Sequence, residues 1–301
     1  MLSLGLILVA CIYFPGVIVK VKAFFSGRKG PGVLQPWYDI ARLLKKGSVF
    51  STSSSFIFQI GAPVYFSTVI IAGLFVPFEE NAALFSFTGD FVLFAYMLGL
   101  GRFLIILSAL DVSSGFEGMG ANREAFYGML IEPAFFILLG ALAMFTGYTS
   151  FHDIFANLHY DNYFSVIIAV LAGYVLGQIT LVETSRLPVD DPLTHLELTM
   201  VHEVMVLDHS GFDLGIIKTA NNIKFVLFST LSANCLIPQS LSLGIRIGIF
   251  LVLQVFFAAG IGWLESFRSR NKMAMNAQYI LSVSAIAMIL IFVVIIIKNR
   301  I

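Results

Sequence analysis

Cysteine is nearly missing from this chain: Cys11 and Cys235 are the 2 in 301 residues, each inside an apolar run. No cysteine cluster able to hold zinc or an iron–sulfur centre is encoded, so any redox cofactor must sit on a partner. Charge is scarce too, at 12% of residues, and it cancels, with 18 Lys and Arg against 18 Asp and Glu. That balance points to neither nucleic acid nor an anionic surface. No basic residue precedes the first apolar run; Lys20, Lys22, Arg28 and Lys29 follow it, the reverse of a secretory leader. No nucleophile, triad or cofactor fingerprint, no internal repeat and no interdomain linker is visible, so residues 1–301 read as a single polytopic domain.

What is abundant is apolar surface. The chain is 58% hydrophobic, with a mean hydropathy of +0.91, more than a soluble core of this size requires. Apolar stretches of about 20 residues, enough to cross a bilayer core, lie near residues 1–24, 57–77, 88–110, 126–147, 163–183, 217–237, 243–264 and 277–297. The expected fold is an all-α integral membrane protein of about eight spans. Residues 20–56 hold Lys20, Lys22, Arg28, Lys29, Arg42, Lys45 and Lys46, and residues 265–276 hold Arg268, Arg270 and Lys272. The opposite connections hold Glu79, Glu80, Asp90, His152, Asp153, His159 and Asp161 without a cation. Basic connections stay in the cytoplasm, which sets both termini outside and the long loops inside.

The first basic loop contains Gly27, Gly30, Pro31 and Gly32. Without a following Gly-Lys-Ser/Thr or a preceding strand it is a tight turn rather than a phosphate cradle. After it, Tyr38–Lys46 mixes apolar and basic residues at helical spacing, as a helix lying on a membrane surface does.

Ionisable residues inside the apolar runs cost roughly 2.5–3.5 kcal/mol each, so each one requires a reason. Arg102 lies about 13 Å below the end of its span at 1.5 Å per residue. Glu132 precedes Pro133, Glu183 ends the fifth run, and Lys224 lies about two turns into the sixth. Mixed signs allow mutual neutralisation that fixes packing; the functional alternative is a chain of protonatable groups.

The densest ionisable cluster runs from Glu183 to Gly211. Pro188 and Pro192 end the fifth run, and Thr194 with Glu197 forms a capping-box pattern for a new helix. On that helix His195, His202 and His209 recur every seven residues and fall near one face. Metal ligands on a helix usually stand three or four apart, a spacing missing here. The segment reads as a solvated amphipathic helix, a proton relay or a docking element.

Three blocks carry a resemblance: Arg28-Lys-Gly-Pro-Gly-Val-Leu-Gln35; Gly101-Arg-Phe through Ala109-Leu-Asp111 to Gly120-Ala-Asn-Arg-Glu124 and Ile131-Glu-Pro133; and Glu183-Thr-Ser-Arg-Leu-Pro-Val-Asp190. With the helix count they resemble, over essentially the whole chain, the complex I subunit 1 family. That family includes the eight-helix membrane subunit of respiratory NADH dehydrogenase and the corresponding subunits of formate hydrogenlyase, hydrogenase-4 and other energy-converting hydrogenases.

The resemblance implies a subunit without a redox centre that anchors the hydrophilic electron-transfer arm beside its terminal iron–sulfur cluster. It implies proton-relay positions at Glu132, Glu183, Asp190 and Glu197, to which the ionisable segment itself adds Glu203, His195 and His202. Charge pairing falls to Arg102, Asp111, Arg123, Glu124, Arg186 and Lys224, and docking to Arg28, Gly30, Pro31, Gly32 and Gln35. Quinone-using members usually carry a Glu-x-Glu-x-Glu pattern where this chain has Leu193, His195 and Glu197, and Phe where it has Val189. The departures resemble the branch of membrane-bound hydrogenases. The expectation is the membrane anchor of a group 4 nickel–iron hydrogenase-like complex in a prokaryotic inner membrane, with hydrogenase-like small and large subunits and antiporter-like subunits as partners. Its rivals are the quinone-site subunit of a complex I-type reductase and a self-standing transporter, which would need an inverted repeat with broken helices.

Overall fold

The computed structural model describes residues 2–78, 83–158, 163–191, 200–237 and 242–298, and helix is the only regular secondary structure among them. His195 and Glu197, with Glu79, Glu80, His159, Asp161 and the Thr194 cap, lie outside the described residues.

Among the described residues, seven helices are long and apolar enough to cross a membrane: α1 (Leu2–Phe25), α3 (Phe56–Gly73), α4 (Asp90–Asp111), α5 (Gly115–Thr146), α7 (Tyr163–Glu183), α10 (Leu243–Phe267) and α11 (Met273–Lys298). Shorter helices are α2 (Gln35–Leu44), α6 (Phe151–Ala156) and α8 (His202–Met205). The expected sixth span is α9 (Gly211–Leu236), which matches the others in length but not in apolar composition. Asp213, Lys218, Asn221, Asn222, Lys224, Ser229, Thr230 and Asn234 dilute it. It is polar because it faces protein: most of its residues are buried, packed against α1, α2, α3, α7 and α10. A helix shielded from lipid has no need of a uniformly apolar surface.

The connections sort onto two faces. On one, Val49 N–H donates to Ser210 Oγ (3.0 Å), Ser55 N–H to Asp111 Oδ2 (2.6 Å), and Asn271 N–H to the Pro188 carbonyl (3.0 Å). The basic loops, residues 20–56 and 265–276, supply Val49, Ser55 and Asn271 to this face. On the other face Gly89 N–H donates to the Thr149 carbonyl (3.0 Å) and Asn234 Nδ2 to that of Pro77 (2.7 Å). Lys298 Nζ reaches Met144 O on this second face, and Leu6 packs there with Phe78, Ile237 and Phe250. Helix α9 therefore runs from face to face, and Leu6 of α1 and Lys298 of α11 both lie opposite the basic face.

Two starts differ from the sequence expectation. Helix α5 begins at Gly115 rather than near 126, so most of the expected 111–125 loop is helix. At 32 residues it is about 48 Å long, and its first turns stand clear of a core about 30 Å thick. It continues unbroken through Pro133. The seven-residue histidine repeat does not lie on one helix either. Helix α8 ends at Met205, and the chain turns through 206–210 before α9 begins at Gly211, whose φ is +52°. A Cβ there would stand 2.1 Å from the Gly47 carbonyl oxygen, so glycine lets the first basic loop seat against α9.

The helix expected over 38–46 is present as α2, which packs against α9 and α1 and starts at Gln35 with Pro36 in its first turn, where a missing N–H costs nothing. The core between the spans is mainly aliphatic and carries an aromatic cluster in which Phe94 stands edge-on to Phe151 (5.4 Å) and Phe228 (6.1 Å).

Candidate functional site: a buried charge cluster below a loop-walled cavity

Arg102 is the hub. Helix α4 buries it, and α5 lets it in at Gly128, where a Cβ would stand 2.3 Å from Arg102 Nη1. Its Nη1 donates to Glu132 Oε1 (2.9 Å), its Nη2 to Glu183 Oε1, and its Nε lies 3.8 Å from Glu124 Oε1. Lys224 Nζ of α9 holds the other oxygen of Glu183 at 2.6 Å. One guanidinium thus gathers carboxylates from α5 and α7, and a lysine from α9 closes the group. Buried charges at this depth persist only when paired in this way.

The members differ in exposure. The side chains of Glu183 and Lys224 are 5% and 3% exposed, whereas that of Glu132 is 50% exposed. Glu132 looks into an open groove of about 420 Å³ between α4 and α5, lined by Phe103, Ile106, Met129 and Phe136. It lies about 25 Å along α5 from that helix's start, near mid-helix.

Above the cluster, a cavity of about 10 Å³ lies between Arg102, Glu124, Glu183 and Asp190. Asp190, 1% exposed, organises the loop over it. It accepts the N–H groups of Asp191 (2.9 Å), Val201 (3.0 Å) and His202 (3.1 Å) and pairs with Arg270 (2.9 Å). Next to it opens a cavity of about 390 Å³ walled by α1, α2, α9 and the 184–190 loop. Lys22, Arg186, Lys218, Glu203, His202 and Glu265 supply its charged lining, and Pro15, Ile18, Val19 and Leu43 its apolar side. Arg186 Nη1 and Lys22 Nζ share the buried Glu265 carboxylate at 3.3 and 3.5 Å.

The two described histidines of the repeat part company. His202 faces the cavity, where its Nε2 accepts from Asn221 Nδ2 (2.7 Å). Burial holds its pKa below the usual imidazole range, against the charge of Glu203. His209 stacks on Phe58 at 4.2 Å and 7°, its Nε2 3.3 Å from Ser108 Oγ, and burial alone pushes its pKa down to about 4.

Among the other expected charge pairs, Asp111 caps Ser55 N–H instead of meeting a cation, because it ends α4 where α3 begins. Arg123 donates to the Met200 carbonyl (2.7 Å) and so ties α5 to the loop before α8. Of the docking residues, Pro31 and Gln35 line the larger cavity, and Gly30 seats against Ala23, where a Cβ would meet Ala23 Cβ at 2.4 Å. Arg28 and Gly32 are exposed. Sequence reasoning passed over Glu265, Tyr65 and Asn221; an amide in an otherwise apolar helix is itself the signal that would have found Asn221.

Among the described residues, a helical bundle that seals an arginine-centred carboxylate cluster beneath a loop-walled cavity defines the chain as a polytopic membrane protein with buried charge. The NADH dehydrogenase family profile matches residues 1–296, and the chain belongs to that family. It is 30% identical over 257 residues to hydrogenase-4 component C of Escherichia coli (strain K12), covering 82% of this chain and 80% of that one. It is 28% identical over 223 residues to formate hydrogenlyase subunit 4 of the same strain, covering 74% and 72%. With NADH-ubiquinone oxidoreductase chain 1 of Triticum aestivum it shares 25% identity over 263 residues, covering 80% and 79%. Its fold matches a chain of the membrane-bound sulfane sulfur reductase, an archaeal respiratory membrane complex, with a TM-score of 0.81 at 20% identity over 97% of this chain and 98% of that one. The protein is therefore a multi-pass membrane subunit of a respiratory complex.

Proposed function

We propose that this chain is the membrane-anchor and energy-coupling subunit of a group 4 nickel–iron hydrogenase-like complex in a prokaryotic inner membrane. It docks an iron–sulfur arm on its basic, cytoplasmic face and relays protons through its buried carboxylates. The observation that carries this reading is the Arg102 cluster, whose carboxylates run from the sealed Glu183 to the half-exposed Glu132 at mid-helix. A carboxylate half open at bilayer depth is too costly to face lipid and is suited to exchange protons with a neighbouring membrane subunit. Identity with hydrogenase-4 component C and formate hydrogenlyase subunit 4 supports the hydrogenase-like branch.

The test is Glu132→Gln in the intact complex. Gln keeps shape and hydrogen bonding with Arg102 but releases no proton, so the complex should assemble, transfer electrons and lose most of its coupled ion movement in proteoliposomes. Wild-type translocation per electron would reduce the cluster to a packing device.

A second reading, the quinone-site subunit of a complex I-type reductase, is favoured by the cavity of about 390 Å³, within the range that holds small ligands. Nickel in the purified complex and no inhibitor-sensitive quinone reduction support the first; the opposite pair of results supports the second.

A further inference from the structure

From His202 in the cavity toward the charge cluster runs a hydrogen-bonded line through Asn221 and Tyr65, two residues that neither the relay nor the docking face uses. Tyr65 of α3 is buried and donates its hydroxyl to Asn221 Oδ1 of α9. Asn221 Nδ2, which can only donate, faces His202 Nε2 at 2.7 Å. His202 Nε2 must then be an acceptor, with the imidazole neutral and its proton on Nδ1. The line is polar in one sense, with each donor pointing from the cluster toward the cavity.

Packing fixes both ends. The Tyr65 ring is held where α4 offers no side chain: a Cβ on Gly101 would stand 3.0 Å from the ring and 2.4 Å from Thr68 Oγ1. Arg102 follows in sequence, and the charges of Glu124, Glu183 and Arg102 all act on the Tyr65 hydroxyl. At the other end the His202 backbone N–H is pinned by Asp190 (3.1 Å). The charges acting on the imidazole are those of Glu203, Lys224, Asp190 and Arg102, and Arg186, Lys218 and Glu265 share the cavity it faces.

We propose that Asn221 and Tyr65 form a reversible hydrogen-bond switch that reports the charge of His202, in the cavity, to the Arg102 cluster. A proton arriving on Nε2 sets N–H against N–H. The amide then turns to present Oδ1 to the imidazolium and Nδ2 to the Tyr65 oxygen. Tyr65 becomes an acceptor from Asn221, and its own O–H turns away toward the carboxylates whose charge it feels. No proton crosses the amide; only the direction of the bonds reverses. Asn221 is a positioning residue in this scheme, and the side chain suits the task because it offers a donor and an acceptor on one rotatable plane.

The inference rests on the reading of His202 as a protonatable relay group, and the two are separable by experiment. Difference infrared spectra of the purified complex in lipid, between neutral and mildly acidic pH, should show the tyrosine C–O stretch that Tyr65→Phe removes shifting as the His202 imidazolium signal appears. In Asn221→Leu the His202 signal should still form and the Tyr65 band stay fixed; in His202→Gln the band should not respond to pH at all. In Asn221→Asp, a carboxylate beside the imidazole should raise the midpoint of the His202 signal by about one pH unit or more. A Tyr65 band that stays fixed in the wild type while His202 protonates, or that still shifts in Asn221→Leu, overturns the switch. Should His202→Gln leave ion translocation unchanged while the wild-type band shifts, the relay reading falls and the switch stands.

Discussion

Lys224 Nζ and Glu183 Oε2 stand 2.6 Å apart, both almost wholly buried, while Arg102 holds the other oxygen of the same carboxylate. Glu183 is thus shared between a cation of α4 and a cation of α9, and through it α7 is tied to both. Removing one partner of a buried ion pair leaves an uncompensated charge in a medium that cannot solvate it.

Lys224→Met should accordingly destabilise the solubilised complex by about 3–5 kcal/mol. Adding Glu183→Gln should recover part of that loss, since the carboxylate no longer needs its lysine. Thermal unfolding of the two variants beside the wild type measures both effects. Equal unfolding temperatures for Lys224→Met and wild type would show that the pair contributes nothing. The same logic makes Glu183→Gln a poor probe of proton transfer, because it strands Lys224, and leaves Glu132→Gln as the informative change.

His209 gives a pH dependence with a definite sign. Its folded pKa is depressed to about 4, so the neutral ring is the folded form. The stability this contributes is complete above the unfolded imidazole value of about 6.5 and is lost as pH falls toward 4. The loss amounts to roughly 3 kcal/mol. Hydrogen exchange in residues 206–210, corrected for intrinsic rates, should therefore rise through that window. His209→Phe, which preserves the stack on Phe58, should remove most of the rise; if the variant loosens like the wild type, the acid sensitivity belongs elsewhere, with the buried His202 the next suspect.

The sequence was most legible where lipid is the solvent. The seven apolar spans could be read because hydrocarbon contact imposes one composition over about 20 residues. Helix α9 was legible as a span by length, while its polar composition reflects burial inside protein, which relaxes that constraint. The start of α5 was missed for a related reason: a helix that leaves the membrane turns polar, as Glu117, Asn122, Arg123 and Glu124 do, and resembles a loop by hydropathy. Arg102, Glu132, Glu183 and Lys224 could be singled out from the cost of charge, but which atoms meet is set by helix rotation, which hydropathy does not encode. Asp111 illustrates the gap, a carboxylate taken for a salt-bridge partner that spends itself on a backbone N–H. The histidine repeat failed because a heptad implies one face only on a continuous helix, and the chain breaks at 206–210.

Orientation can be tested by labelling. Ser53 and Ser269 are exposed on the basic face and Thr149 on the opposite one. With the basic face in the cytoplasm, cysteines at 53 and 269 should react with an impermeant maleimide only after the cells are opened, and a cysteine at 149 should react in intact cells. The reverse pattern would invert the topology and move the docking face outside.

The last expectation concerns docking. The chain encodes no cluster of cysteines to take electrons, so in the proposed complex it senses a redox change through space, and charge interactions act strongly only at short range in poorly solvated surroundings. The basic face must then lie against the partner that carries the terminal cluster. Residues 26–46, 184–191 and 200–216 form that face and wall the larger cavity, and Arg186 sits among them, sharing the buried Glu265 carboxylate with Lys22. Arg186→Glu would set two carboxylates against each other with Lys22 alone between them and should loosen the 184–190 loop. The hydrophilic arm of the variant should be released at lower salt than that of the wild type, as expected for contacts screened by ions, or remain bound with electron transfer uncoupled from ion movement. Sedimentation of the complex across a salt series, with crosslinks started from cysteines at 28, 35 and 207, measures both outcomes. Wild-type retention and coupling, with crosslinks reaching only other membrane subunits, would mean that the arm docks elsewhere and that this face is covered by lipid or by a membrane partner.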